Sequence, residues 1–198
     1  MQRQLISRSP DLQRLQDDGY ELEIRDGYLL IHHIPYVNAK REVQYGTLVS
    51  TLKLSGDITM VPDTHVVDFI GSAPCDREGR RLDQIIASEG ARQLAPGIDV
   101  TFSFSSKPPT GYPDYHAKMT TYVAILASHA QAIDPDATAT TFPVIELAEE
   151  ESVFCYADTA SSRAGIAAIT QKLALPKVAI VGLGGTGSYI LDLWSGAQ

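Results

Sequence analysis

Apolar and polar residues alternate with period two in two stretches of the chain, Tyr20-Glu21-Leu22-Glu23-Ile24 and the run marked by Ile98, Val100, Phe102 and Phe104. This is the pattern of a strand with one buried face. After the first stretch Asp26-Gly27 supplies the positive φ of a tight turn and Tyr28 to Ile34 returns as the partner strand, so the spacing predicts a β-hairpin, with Pro35 ending its second strand. Val43 to Leu54 predicts a long third strand with Gly46 as a bulge, and His65 to Ile70 a fourth. Elsewhere the period lengthens. Ser9-Pro10-Asp11 opens a helix with Ser9 as N-cap and Asp11 against the dipole, and Gly19 stops it after Leu12 and Leu15. Leu82, Ile85 and Ile86 predict a short helix that ends by Gly90. Met119, Tyr122, Val123, Leu126, Ala130 and Ile133 lie on one stripe of a longer helix from about Asp114 to Ile133, closed by Asp134-Pro135. Strands follow at Val144 to Leu147 and Val153 to Tyr156. Residues 1–158 therefore read as an α+β domain, with helices packed on a largely antiparallel sheet.

The pattern changes after residue 158. Ser161 or Ser162 caps a helix carrying Ile166, Ile169 and Leu173, and Pro176 breaks the chain before Lys177-Val178-Ala179-Ile180-Val181, a short apolar run suited to a buried parallel strand. Gly182-Leu183-Gly184-Gly185-Thr186-Gly187-Ser188 comes next, and Tyr189 to Leu193 reads as a helix. Gly182 permits the turn, Gly184 lets the backbone approach a phosphate, and Gly187 lets helix pack on strand. Free amides and the positive helix end then face an anion. Residues 159–198 thus predict the first β-strand and helix of a Rossmann-like α/β domain. The motif alone fits dinucleotide oxidoreductases and adenylating enzymes equally.

The segment KVAIVGLGGTGSYILDL, with its Gly184-Gly185 doublet and Ser188, resembles the opening of the ThiF/HesA/MoeB family, relatives of the ubiquitin-activating enzymes. The preceding YADTASSRAGIAAITQKL is similar to the approach to the nucleotide domain in a bacterial subgroup of ThiF-type proteins. GYLLIHHIPYVNA, HVVDFIGSAPCDREG and FSFSSKPPTGYPDY are similar to the uncharacterised N-terminal domain of that subgroup. The resemblance implies ATP and magnesium as cofactors and adenylation of the C-terminal carboxylate of a ubiquitin-like or sulfur-carrier protein. It also implies that Gly182, Gly184, Gly185 and Gly187 line the ATP phosphates. Arg163 is the arginine that would reach phosphate from the preceding helix, often across a homodimer. The family's later acid, its further Arg and Lys and its zinc-binding cysteine pairs have no counterpart, and 11 residues follow Gly187. A βαβ unit needs about 30 residues, so the expectation is a truncated form that does not adenylate on its own.

Composition narrows the function classes. With 44% apolar and 20% charged residues the chain is ordinary for a folded protein. No apolar run approaches the length of a membrane span and the start MQRQLISRSPDLQRLQDDGY has no signal-peptide core, so the expectation is a cytoplasmic protein. A net charge of −8 argues against a nucleic-acid binder. That charge is local: from Asp134 to Ser162 there are seven acids and no Lys or Arg, which leaves 17 acids against 16 bases elsewhere. Such a stretch is a solvated loop or sheet edge, or a surface that meets a basic partner.

Four further features carry candidate chemistry. Cys75 follows Pro74 in a loop after four strands, an order that resembles ubiquitin-conjugating folds and makes Cys75 a candidate carrier thiol, although the His-Pro-Asn element of those folds is missing. An incidental cysteine is the plainer reading. Cys155, in an alternating strand, reads as a small core residue. His32 and His33 are neighbours on a strand and should point to opposite faces, which precludes a shared metal ion; His65, His116 and His129 are scattered. The loop Lys107 to His116, rich in Pro and Tyr, is either a ligand-contacting surface or a lid over the core edge. Three function classes remain: the adenylating protein, a binding module without catalysis, and an NAD-dependent oxidoreductase fragment.

Overall fold

The computed structural model describes residues 2–143. By its contacts the chain divides into two units, residues 1–141 and 142–198. The strands expected around Val144 and Val153, Cys155, Arg163 and the glycine motif lie outside the described residues.

Two helices open the chain, α1 (Gln2–Arg8) and α2 (Pro10–Asp17). Pro10 stands where a missing N–H costs nothing, as the sequence predicts. The capping differs in detail. Ser9 makes no side-chain bond to its own helix and instead accepts from Thr59 N at 3.1 Å. Asp11, expected against the helix dipole, is buried and accepts from Leu12 N at 2.9 Å, Tyr115 N at 3.0 Å and the Thr59 hydroxyl. One carboxylate thus ties α2 to a small hairpin and to the helix that begins at Tyr115.

Six strands form one antiparallel sheet: β1 (Leu22–Arg25), β2 (Tyr28–Val37), β3 (Val43–Thr51), β6 (Val66–Ile70), β7 (Ile86–Ala95) and β8 (Ile98–Ser105), in the spatial order β1-β2-β3-β6-β8-β7. A separate two-stranded hairpin, β4 (Leu54–Ser55) with β5 (Ile58–Thr59), interrupts the expected third strand at Thr51. The hairpin turn has Asp26 at φ 49° and Gly27 at φ 79°, the two left-handed residues its sequence predicts.

Three expectations are corrected. Pro35 does not end β2. Beyond Ile31 the β1 ladder stops while β3 continues, so the missing N–H of Pro35 faces no β1 partner and the strand runs to Val37. Gly46 is not the bulge. The register moves from Ile31 opposite Leu48 to Ile34 opposite Gly46, which places the extra residue in β2, at His32-His33. Gly46 is required for another reason: a Cβ there would lie 2.5 Å from the Phe69 ring and 2.8 Å from Ile70 O. Finally, Leu82, Ile85 and Ile86 do not make a helix. Ile85 N bonds Leu82 O in a turn at 3.1 Å, and Ile86 begins the edge strand β7.

The last helix among the described residues, α3 (Tyr115–Gln131), starts at Asp114, whose side chain accepts from Ala117 N at 2.7 Å. Met119, Tyr122, Val123 and Leu126 face the sheet and join Leu29, Ile31, Leu48, Phe69 and Phe104 in the main core. Each such large side chain contributes about 1.5–3 kcal/mol on burial. The opposite sheet face holds a smaller cluster in which Leu30 and Val49 meet Ile98 and Val100. The outer half of the β7–β8 hairpin therefore curls across that face, and Arg25 Nη1 reaches Gly97 O at 3.3 Å. Among the described residues no helix is long and apolar enough to cross a membrane.

Candidate functional site

Cys75 is built into the fold by backbone pairing. It forms isolated bridges with Val37 and Arg81, and its N–H donates to Val37 O at 2.8 Å. Its side chain is 2% exposed, with Sγ 3.6 Å from Ala73 O. Burial, reinforced by Asp76, pushes the thiol above its ordinary range, and the nearby Arg81 only partly offsets this. A carrier thiol needs exposure and thiolate character, and this environment supplies neither; it is the setting of a packing cysteine. Asp76, next in sequence, organises the loop instead. Its carboxylate accepts from Glu78 N and Arg80 N, both at 2.9 Å, and from Arg80 Nε at 2.8 Å.

The Lys107 to His116 loop turns its aromatic side chains inward. Tyr112 is buried and donates to Ser106 O at 2.7 Å, and Tyr115 is buried and accepts from Lys53 N at 2.7 Å. Of the two readings open to the sequence, this arrangement matches the lid over the core edge. Lys107 stays exposed. His116 joins a polar group between α2 and α3: its Nε2 is 2.7 Å from Asp18 Oδ2 and its Nδ1 3.0 Å from Arg14 Nη2.

Two arrangements have no plain signal in the sequence. The first is Lys118 on α3, wholly buried, with Nζ donating to Ser50 Oγ at 2.8 Å and lying 6.0 Å from the centre of the Tyr115 ring. Desolvation lowers its pKa to about 8, against a smaller opposing pull from Asp68. The helical stripe around it is apolar, and a lysine within that stripe is the one hint the sequence offered.

The second lies on the sheet face opposite α3. The bulge in β2 cancels the strict alternation that would send His32 and His33 to opposite faces, and both imidazoles meet carboxylates two positions apart. His33 Nδ1 is 2.8 Å from Glu21 Oε2, and His32 Nε2 is 2.9 Å from Glu23 Oε2. Arg25 Nε donates to the other oxygen of Glu23 at 2.7 Å, and His32 Nδ1 lies 3.2 Å from Thr47 Oγ1. Burial tends to raise the Glu23 carboxyl, but the bonds from Arg25 and His32 outweigh it and hold it below the usual range. Among the described residues no group of three or more His, Cys, Asp or Glu could hold a metal ion.

The architecture is thus an α+β domain with a curled antiparallel sheet, whose polar side chains form bonded chains on one face. By comparison with protein families, the chain belongs to the family described as a domain of unknown function, DUF6791, which matches residues 10–159. No curated protein and no solved structure matches the chain.

Proposed function

We propose that residues 1–158 are a recognition domain joined to the start of a ThiF-type, Rossmann-like nucleotide domain at residues 159–198. The activity served is ATP- and magnesium-dependent adenylation of the C-terminus of a ubiquitin-like or sulfur-carrier protein, which the N-terminal domain selects or receives. The observation that carries this reading is the order of Lys177 to Val181, the glycine run 182–187 and Tyr189 to Leu193 in the sequence: apolar strand pattern, glycine turn, helix pattern. In this reading Gly182, Gly184, Gly185 and Gly187 line the phosphates and Arg163 adds a positive charge. The buried state of Cys75 favours a version in which no thioester forms on it.

Photolabelling with azido-ATP and magnesium tests the proposal. The expected adduct falls within residues 177–193, is competed by ATP and not by NAD, and is lost in Gly184→Val, whose side chain would occupy the phosphate approach. Competition by NAD in preference would move the chain to the oxidoreductases. Labelling that neither nucleotide competes would reduce it to a binding module.

A further inference from the structure

The bulge in β2 leaves His33 at φ 56°, a left-handed conformation in a residue other than glycine. Strain of this kind persists where neighbouring contacts fix it, and bulges often re-aim side chains beside active sites. Here the Glu21 bond and the Tyr45 ring, 6.0 Å from the His33 ring, hold His33 in place. The arrangement leaves His32 between Glu23 and Thr47.

The hydrogen bonds fix the order of this group. A carboxylate only accepts, so the neutral His32 ring carries its proton on Nε2, toward Glu23, and Nδ1 is left to accept from the Thr47 hydroxyl. Glu23 is itself held by Arg25, which reaches Gly97 O on the curled hairpin. Hydroxyl, imidazole and oriented carboxylate are thereby linked in the sequence that makes a hydroxyl nucleophilic. The His32 and Glu23 side chains are 26% and 28% exposed and Thr47 is half-buried, so a small reagent has access to them.

We propose that Thr47 is an acyl-accepting nucleophile, with His32 as its general base and Glu23 as the positioning residue, acting on activated carboxylic esters. The Thr47 oxygen adds to the ester carbonyl carbon as its proton passes to His32 Nδ1. Collapse breaks the bond to the leaving alkoxide or phenoxide, which takes that proton, and the acyl group remains on Thr47 as an ester. Water, deprotonated by the same nitrogen, then hydrolyses the acyl-threonine and restores the hydroxyl. This goes beyond the nucleotide reading and does not depend on it.

The test uses the full chain and p-nitrophenyl acetate, following p-nitrophenolate release and locating the acetyl group by peptide mass spectrometry. A stoichiometric burst with acetyl on Thr47 is expected. Thr47→Val should abolish it, Thr47→Ser should retain it, and His32→Gln should slow acylation by about 100-fold or more. Glu23→Gln should slow acylation while leaving the KM for the ester unchanged, and Glu23→Asp should restore part of the rate; a purely structural role would give neither the split nor the rescue. Circular dichroism confirms that each variant folds. A burst unchanged in Thr47→Val, acetyl found only on lysine or histidine, or a burst lost in Cys75→Ser would overturn the proposal.

Discussion

Replacing Lys118 with methionine removes the least comfortable charge in the core. The ammonium has three donors and, among the described residues, one hydrogen-bonding acceptor, Ser50 Oγ at 2.8 Å, and the side chain is fully buried. Its pKa is lowered from 10.5 to about 8 by desolvation, with Asp68 opposing weakly. At about 1.36 kcal/mol per pH unit, that gap corresponds to about 3 kcal/mol of folding free energy. Below pH 8 both folded and unfolded chains carry the proton and the fold bears the whole desolvation cost. As pH rises from about 8 toward 10.5 the folded chain releases its proton first, so stability increases across that window. Cys75, Tyr20, Tyr115 and Tyr122 are displaced upward by burial and act in the opposite sense, the thiol from about pH 8.5 and the tyrosines above about pH 10, where each ionises in the unfolded chain. These groups are common to wild type and variant, so the difference between the two isolates Lys118. Methionine keeps the length and apolar stem, and Ser50 keeps its own bond to Thr51 O at 3.0 Å. Urea titrations at pH 7, 8, 9 and 10, with constant slope, should show the advantage of Lys118→Met over the wild type shrinking as pH rises. The variant should be more stable at pH 7 by about 1–3 kcal/mol. An advantage that does not shrink between pH 8 and 10 would refute the reasoning, as would a variant destabilised equally at every pH.

Three other outcomes follow from the packing. Gly46→Ala forces a methyl group against the Phe69 ring and should cost about 1–3 kcal/mol in urea unfolding. Asp11→Ala leaves Tyr115 N without its acceptor and should cost about 2 kcal/mol or more, whereas Asp114→Ala removes a helix cap and should cost about 1 kcal/mol; equal losses in thermal melts would contradict the bridging role of Asp11. Cys75 should resist iodoacetamide at neutral pH in the native chain and react fully in urea, as read by peptide mass spectrometry; rapid native labelling would show that its burial is wrong.

The elements that were legible in the sequence are those with a strong local period and a matching terminator. The Asp26-Gly27 hairpin, the alternation from Ile98 to Phe104 and the long helix capped by Asp114 all formed as the pattern predicts. What escaped the pattern was set by neighbours far away in sequence. β7 is an exposed edge strand whose middle, Ser88 to Gln93, has no apolar face to display a period, and Leu82, Ile85 and Ile86, leading into its start, imitated a helix. Pro35 is tolerated because β1 ends early, which depends on strand lengths and not on proline itself. The histidine pair illustrates the same point for the site. Alternation places His32 and His33 on opposite faces, and one extra residue in β2 brings His32 to Glu23 of β1 and His33 to Glu21 just before that strand. Cys75 and the tyrosine loop were visible as residues of interest, but their burial depends on Val37, Lys53 and Ser106, which no local motif announces.

The central functional proposal is that the glycine run after Val181 is an ATP site of the adenylating kind. Isothermal titration of the 198-residue chain with ATP and magnesium, beside a titration with NAD under the same conditions, measures this most directly. The account predicts binding of ATP that requires magnesium, is weakened at least about tenfold by Gly184→Val, and exceeds binding of NAD. Equal or tighter binding of NAD, or ATP binding unaffected by the glycine substitution, would contradict it.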